Sequence, residues 1–407
     1  MISLEEARDR VLRSCPPATP VRVVVGEAQG LVLAEVVHAP QPVPPFANTA
    51  MDGFAVRAND LSGASPEHPV RLEVVGTNAA GHVPDRAVGW GEAVRIMTGA
   101  PFPEGADAVA IVETTRPAGD DGVLVERPVT AGDHIRAAGE DLAAGQAVFD
   151  IGTVLGPGHL GVLATTGRSD VVVHPAPRVG VLSTGDELVS GGGPLRLGQI
   201  HDSNRVTLLA LLRRDGFAAI DLGIARDDEA EISDKLTEAA GGCDAVLTSG
   251  GVSMGDFDYV KKVLDDIGDM TWMQVAIRPA KPFAFGTVAT TPIFGLPGNP
   301  VSSMVSYELL ARSGLRSMAG HPESARHHRI VGAIADDDSL RRRRDPRTNY
   351  IRVNAAMGED GRYHVRTAGG QASNLLWPMA MADALAVVPP GEGVAAGEDV
   401  AIIVLPG

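Results

Sequence analysis

The periodicity of apolar positions changes three times along the chain, and each change marks a change of architecture. Residues 3 to 14 place Leu4, Ala7, Val11 and Leu12 on one helical face, with Ser3 as a cap, Glu5 and Glu6 in the first turn and Cys15-Pro16-Pro17 as the stop. From Val21 to about Arg178 the apolar residues fall instead into short β-rich runs, among them VRVVV, LVLAEVV, VRLEVVG, EAVRIMTG, DAVAIVETT and GVLVERPV, separated by Gly and Pro. Such runs predict strands, with no long helix before position 155. A Pro-rich joint from Pro40 to Pro45 and a short helix in GPGHLGVLATTG (156–167), leading to the strand SDVVVHP, bracket an inserted β unit.

From Arg178 to about Gly320 strands and helices alternate. VGVLSTG reads as a buried strand ending in a glycine turn, RVTLLALLRRDG as a helix stopped by Gly216, AAIDLGI as a strand, EAEISDKLTEAAG as a helix and CDAVLTSGG as a third strand. The helix YVKKVLDDIG, a hairpin-like pair MQVAIRPAKPFAFGTV and TPIFGLPGNP, and a helix from Val301 to Ser313 follow. This order predicts a mostly parallel sheet covered by helices on both faces. Beyond residue 325 the chain returns to β runs (RIVGAIA, NYIRVNAA, RYHVRTA, ALAVVPP, DVAIIVLPG), which predict a small β domain.

Composition narrows the function classes. A chain of 407 residues is long enough for several domains at roughly 150 residues each. Its 44% hydrophobic and 21% charged residues are those of a globular protein, not of a disordered one. The formal charge of −16 opposes binding to a polyanion, and the run from Arg341 to Arg344 reads as a solvated loop ahead of a nucleic-acid patch. Cys15 and Cys243 are too few for a disulfide scaffold or a thiolate metal cage, which fits a reducing cytoplasm. The charged amphipathic start and the lack of a long apolar run indicate neither export nor a membrane span.

Candidate chemistry gathers where the alternating segment turns. In open parallel sheets ligands sit beyond the carboxyl ends of the strands, where glycine turns let backbone N–H groups approach a phosphate. Two such turns occur: LSTGDEL, with Ser183, Thr184 and Gly185, and LTSGGVSMGDFDY, with Ser249, Gly250, Gly251, Ser253 and Gly255. Glu187, Asp227 and Asp258 lie beside them, and carboxylates repel an anionic substrate unless a divalent cation lies between. Magnesium prefers oxygen ligands and commonly joins carboxylates to phosphate oxygens. The plain alternative, that Asp227 and Asp228 merely open a helix, stays open. In IRPAKPFAFG (277–286) prolines stiffen a loop from which Arg278 and Lys281, one of only four lysines, project as preorganised cations for a small oxyanion. In GLPGNPVSS, Gly298-Asn299 forms a turn and Pro300 starts a helix.

Seven motifs in order, PPFANTAMDGFAVR (44–57), RIMTGAPFPEGADAVAIVE (95–113), IRAAGEDL (135–142), VGVLSTGDEL, TSGGVSMGDFDY, RPAKPFAFG and GLPGNPVSS, resemble the molybdopterin molybdenumtransferase family of the MoeA and gephyrin E-domain type over essentially the whole chain. The resemblance implies a discontinuous, elongated linker and dimerisation domain I (1–46 and 147–177) and an inserted, mostly-β domain II (47–146). It further implies a central doubly wound molybdopterin-binding α/β domain III (178–324) and a C-terminal β-barrel domain IV (325–407). The implied reaction inserts molybdenum from molybdate into the dithiolene of adenylylated molybdopterin, with magnesium-dependent release of AMP. Carried over position by position, the family's functional residues are Asp52 in MDG, Thr98 in RIMTG, Arg136 and Asp141 in IRAAGED, Glu187 in STGDEL, Asp227 in RDD, Asp258 in GDFDY, and Pro297 and Pro300 in LPGNP. Ser183, Thr184, Ser249, Gly250 and Gly251 would bind substrate, and Glu187, Asp227 and Asp258 the magnesium. A homodimer is implied, with Asp52, Thr98, Arg136 and Asp141 reaching a cleft shared with the other subunit. So are contacts with the molybdopterin adenylyltransferase and with apo-molybdoenzymes.

The sequence departs from the family at its oxyanion loop. Relatives carry KPGKP; here Arg278 and Ala280 stand in RPAKP, and Gln274 occupies a position that is lysine in some relatives. Arginine presents a planar fork where lysine presents a point charge, and alanine in place of glycine calls for an ordinary φ. Arg278 and Lys281, with Arg352 in NYIRV and Ser373 in GGQASN, are the molybdate-binding set that the resemblance implies. A tungstate-handling paralogue, a non-catalytic molybdopterin-binding scaffold and the related adenylyltransferase activity are the alternatives; full-length domains I, II and IV argue against the last.

Overall fold

The structure, a computed structural model, describes residues 1–251 and 259–405. Ser253, Gly255, Asp256 and Asp258 lie outside the described residues.

The first helix, Leu4–Arg13, starts where the Ser3 hydroxyl accepts the Glu6 N–H at 3.0 Å. Its apolar stripe, Leu4, Ala7 and Val11, joins Cys15 in the core of the α/β unit, so the helix that the sequence reading groups with domain I is packed on the central domain. Gly314 makes that approach possible, since a Cβ there would lie 2.7 Å from Val11 Cγ1 and 3.0 Å from Cys15 Sγ.

Val21–Val24 and Val32–Leu33 flank Asp170–His174 in one sheet, and Val37–His38 pairs with Ala147–Phe149. Chain before residue 40 is therefore laddered to chain after residue 146, and everything between is an excursion. That excursion folds into a six-stranded sheet in the order Ala108–Ile111, Gly53–Val56, Glu92–Ile96, Val70–Asn78, Gly122–Val125, Thr115–Pro117. Its inward positions, including Phe54, Leu72, Val123 and Val125, bury a core of their own.

The central unit carries the sheet order Ala218–Ala225, Arg178–Thr184, Ala245–Ser249, Thr291–Leu296, Pro282–Val288, Gly268–Gln274. The first four strands are parallel; the last two are added at one edge through antiparallel pairings, with only Pro282–Val288 running against the others. Strands buried on both faces read as the near-continuous apolar runs seen in the sequence. The helix expected to stop at Ser313 continues to Met318: it is α over Pro300–Ser306, π over Tyr307–Ala311 and α again over Arg312–Met318. The apolar pattern fades at Arg312 and Gly314, but those residues meet partners the pattern does not reveal. Asp215 accepts from Arg312 Nε at 2.9 Å and from the Tyr307 hydroxyl at 2.8 Å, and Glu308 accepts from Arg214 at 2.7 Å and from His328 at 2.8 Å. Burial pushes the Glu308 carboxyl up, but His328 and Arg214 outweigh it and hold it below its ordinary range.

At the C-terminus Thr348–Met357, Tyr363–Thr367, Ile330–Ala335, Asp399–Val404 and Ala384–Val388 close on one another as a five-stranded barrel filled by Ala333, Val353, Val365, Ala386 and Ile402. The arginine run is solvated at Arg341, Arg343 and Arg344, but it is not the loop expected: Arg341–Asp345 is a strand paired with Gly391–Gly393, and Arg342 turns to donate to the Pro389 carbonyl at 2.6 Å. Among the described residues no helix is long and apolar enough to cross a membrane.

Candidate active site

The carboxyl ends of the four parallel strands lie side by side, so the described parts of the turns beyond them share one edge of the sheet, the place where an open α/β sheet holds its ligand crevice. Their order brings Asp227, the 183–187 turn, the 249–251 turn and the 297–300 turn into sequence across that edge. Close backbone packing and a left-handed φ explain Gly250, whereas Gly298 would meet only ordinary contact. Gly250 has φ +101° and a Cβ there would meet the Thr184 carbonyl oxygen and hydroxyl at 3.0 Å, while a Cβ on Gly298 would sit 3.7 Å from Gly250 Cα. Asn204, which the motif reading missed, stitches two turns together by donating to Ser249 Oγ at 2.8 Å and to the Gly298 carbonyl at 2.7 Å.

Not every predicted donor faces the crevice. The Ser183 hydroxyl is buried and donates to Asp202 at 3.1 Å; Asp202 caps the helix Ser203–Arg214 and pairs with Arg205 at 2.9 Å. Ser183 thus braces the strand end. Thr184 is also buried, and the Thr248 hydroxyl beneath has no partner among the described residues. Asp186 and Asp227 face each other from adjacent strand ends: the Asp186 N–H approaches Asp227 Oδ2 at 3.4 Å and the Asp227 N–H approaches Asp186 Oδ1 at 3.3 Å. Glu187 folds its carboxylate back over Gly185, where any Cβ would lie 2.3 Å from its oxygen. These groups are exposed hard-oxygen donors, though no set of three or more metal-ligating side chains closes around one point among the described residues. Asp258 cannot be added, being outside them.

At the Thr291–Leu296 end the crevice deepens into a pocket of about 430 Å³ lined by Arg278 to Pro282, Pro297, Asn299, Ser302, Arg347 and Gln371 to Asn374. Two units build it. Ile277–Arg278 pairs in parallel with Thr348–Asn349 of the barrel, and the Val301 N–H donates to the Ser373 carbonyl at 3.1 Å, so the helix start and the 370–375 loop are tied. Pro300 occupies the first turn of that helix, where its missing N–H costs nothing. Lys281 and Ser373 are among the residues that line the pocket. Ala280 departs from expectation: its φ is +72°, so the alanine adopts the left-handed conformation that a glycine would take there, with its methyl buried.

Arg352 does not line the pocket. It is 1% exposed, and four of its N–H donors are engaged: Nε with Gln371 Oε1 at 3.2 Å, Nη1 with the Ala372 and Leu375 carbonyls at 3.2 and 3.3 Å, and Nη2 with the Gly370 carbonyl at 2.8 Å. Desolvation pushes its pKa down. Its geometry shapes the 370–375 loop from beneath. The barrel arginine on the pocket wall, across from Arg278, is Arg347, five residues earlier, with Asn299 and Ser302 as further polar groups that the motif reading passed over.

The inserted domain holds its own cluster. Asp52 Oδ1 accepts both the N–H and the hydroxyl of Thr98 at 2.7 Å, and the Thr98 N–H in particular holds the carboxyl below its ordinary range. Arg136 sits on the two-residue strand Ile135–Arg136 paired with Asn48–Thr49, and the Asp141 N–H donates to the Val43 carbonyl at 2.9 Å. Among the described residues no hydrogen bond or ion pair connects Asp52, Thr98, Arg136 or Asp141 to the crevice.

Comparison with known proteins follows this division. The family model for the MoeA N-terminal region (domain I and II) matches residues 2–167, that for a probable molybdopterin binding domain matches 180–317, and that for the MoeA C-terminal region (domain IV) matches 340–405. The chain is 41% identical over 366 residues, 88% of its length and 89% of the relative's, to molybdopterin molybdenumtransferase 2 of Mycobacterium tuberculosis. It is 36% identical over 406 residues, 99% of its length and 98% of the relative's, to molybdopterin molybdenumtransferase of Haemophilus influenzae. Among solved structures the molybdopterin biosynthesis moeA protein of Pyrococcus horikoshii superimposes with a TM-score of 0.81 at 29% identity, covering 100% of both chains.

Proposed function

The chain belongs to the molybdopterin molybdenumtransferase (MoeA) family, and from that premise we propose that it is a transferase of molybdenum cofactor biosynthesis, passing molybdenum from molybdate to the dithiolene of adenylylated molybdopterin with release of AMP. The observation that carries this reading is the cationic pocket of Arg278, Lys281 and Arg347, which opens at the end of the strand-turn crevice. A tetrahedral dianion in the pocket and a phosphate-bearing pterin along the crevice would meet where Pro297 and Asn299 border both.

The chain's own work is positioning and charge neutralisation. The Gly250 N–H is taken by the Leu296 carbonyl at 3.1 Å, so the glycine turn is assigned to the nucleotide phosphates from Gly251 onward, and Lys281 and Arg278 hold the oxyanion. Asp227 and Glu187, with Asp186 beside them, fit magnesium: they are exposed oxygen donors, too few to enclose an ion, which suits a cation that keeps water and borrows phosphate oxygens. Bound there, magnesium would neutralise charge on the bridging phosphates. The Asp52–Thr98 cluster is assigned to a cleft shared in a homodimer, since among the described residues no hydrogen bond or ion pair joins it to its own chain's crevice.

Replacing Lys281 by Ala is the direct test. Pterin binding should persist while molybdate-dependent AMP release falls by a factor of ten or more, the usual worth of a charged contact to an anion, about 1.4 kcal/mol or above. Undiminished release in that variant would move the oxyanion site elsewhere.

A further inference from the structure

We propose that the strand Arg341–Asp345 is an electrostatic approach to the oxyanion pocket, in which Arg343 and Arg344 draw a small dianion such as molybdate towards the site from outside it. The inference rests on the reading of the pocket as the oxyanion site and adds how the anion reaches it. A formal charge of −16 means that the molecule as a whole repels its anionic substrates. Capture is then favourable only where a local group of cations focuses the field on the site.

The run of arginines ends at that site. Asp345, the next residue, accepts from Arg278 Nη1 at 3.3 Å and from Arg347 Nη2 at 2.9 Å, and both arginines line the pocket. At about 3.3 Å per residue in a strand, Arg344 and Arg343 leave the backbone roughly 3 and 7 Å from Asp345. Burial pushes the Arg342 guanidinium down, Asp345 opposes that, and Arg278 and Arg347 add to the lowering, so the strand lies within electrostatic reach of both pocket arginines. Free charge also rises along the strand towards the pocket. Arg341, the farthest, is paired with Asp338 at 3.0 Å, and Arg342 is turned onto the Pro389 carbonyl. Arg343 and Arg344 are exposed, and their side chains make no hydrogen bond or ion pair among the described residues. Pairing of the strand ends with Gly391 and Gly393 holds the run extended. An acidic protein partner fits less well, because a stable interface takes about 800 Å² from each side. Two free arginines between the exposed Asp336 to Asp338 and the exposed Glu392 offer far less.

The test follows molybdate-dependent AMP release by the full-length protein, with adenylylated molybdopterin and Mg²⁺ saturating and molybdate varied, at ionic strengths of about 10 mM and about 300 mM, where the Debye length falls from about 30 Å to a few ångströms. Two unit charges about 10 Å from a dianion change its capture by about four- to eightfold at the lower ionic strength. Arg343→Ser/Arg344→Ser should therefore lower kcat/KM for molybdate by that factor through KM, with kcat unchanged, and the gap should close at high salt. Arg343→Glu/Arg344→Glu should deepen the loss to roughly the square of that factor. Arg213→Ser/Arg329→Ser removes the same charge from exposed positions off the strand and should leave kcat/KM near wild type. Unchanged kcat/KM in Arg343→Ser/Arg344→Ser at low salt would overturn the proposal and leave the molybdenum-transfer reading standing. An equal loss in Arg213→Ser/Arg329→Ser would overturn it in favour of net charge, and a fall in kcat that persists at high salt would overturn it in favour of structural damage. A defect seen only in delivery to a cofactor-free molybdoenzyme, with AMP release normal, would give the strand to an acidic protein partner instead. Absence of molybdate-dependent release in the wild-type protein would take down the functional reading and this proposal with it.

Discussion

Replacing Gly53 by Ala should disable the inserted domain by steric means alone. Gly53 opens the strand Gly53–Val56, which is hydrogen-bonded on one side to Ala108–Ile111 and on the other to Glu92–Ile96. A Cβ at this position would lie 2.2 Å from the Ala110 carbonyl oxygen and 3.0 Å from Ile111 Cα. The oxygen falls roughly 1 Å short of ordinary contact, and because both obstacles are backbone in a buried ladder, no rotamer change relieves the overlap. Overpacking of this kind costs about 1–3 kcal/mol, offset in part by the 0.5–1 kcal/mol that alanine gains over glycine in a strand. A net loss of about 1–2 kcal/mol should lower the melting temperature of a unit of about 100 residues by roughly 5–15 °C in scanning calorimetry. Gly63→Ala is the control, since a Cβ there meets nothing within 4 Å. Asp52 directly precedes Gly53, so below the melting range Gly53→Ala should also lose AMP release, as the carboxylate moves off Thr98. Matching melting temperatures for Gly53→Ala and Gly63→Ala, with full activity in both, would refute the reasoning.

Asp227→Asn and Glu187→Gln should each raise the magnesium concentration needed for half-maximal AMP release without changing the melting temperature; an unchanged magnesium dependence in both would remove their assignment as ligands. His321 is held down to about 4 by burial and by Arg316, whose guanidinium lies 3.2 Å from the ring. A base whose folded pKa is depressed lets the unfolded chain bind the extra proton, so stability should fall as pH drops from about 6.5 towards about 4. His321→Asn should flatten that slope in urea midpoints measured at pH 7 and pH 5, and an equally steep slope would assign the loss to other groups. Ala280→Gly relieves about 1–2 kcal/mol of left-handed strain, but loses a buried methyl and adds 0.4–1 kcal/mol of unfolded-chain entropy. The net should stay within about 1 kcal/mol of wild type by urea denaturation; a loss above about 2 kcal/mol would show that the methyl matters more than the backbone.

Much of this fold is visible in periodicity. The alternation from Arg178 onward places the strand-end turns correctly because parallel strands buried on both faces leave continuous apolar runs, and glycines mark where backbones approach. What stayed hidden depends on contacts between distant segments. The helix runs past Ser313 because Arg312 and Gly314 have partners nearly 100 and 300 residues away, at Asp215 and Val11. Ser183 reads as a substrate donor from its motif, yet Asp202 takes its hydroxyl. Arg352 and Arg347 are indistinguishable by residue type, and only the burial of one and the exposure of the other to the pocket tell them apart. Ala280 carries no mark of its positive φ, because alanine, unlike glycine or asparagine, gives no signal for one.

The central claim, that this chain uses its cationic pocket to place molybdenum on a pterin held along the strand-turn crevice, is tested most directly by mixing the purified protein with adenylylated molybdopterin and Mg²⁺ and following AMP release with and without molybdate. The account predicts release that requires molybdate and yields a product able to reconstitute a cofactor-free molybdoenzyme. Tight pterin binding with no molybdate-dependent release of AMP would contradict it.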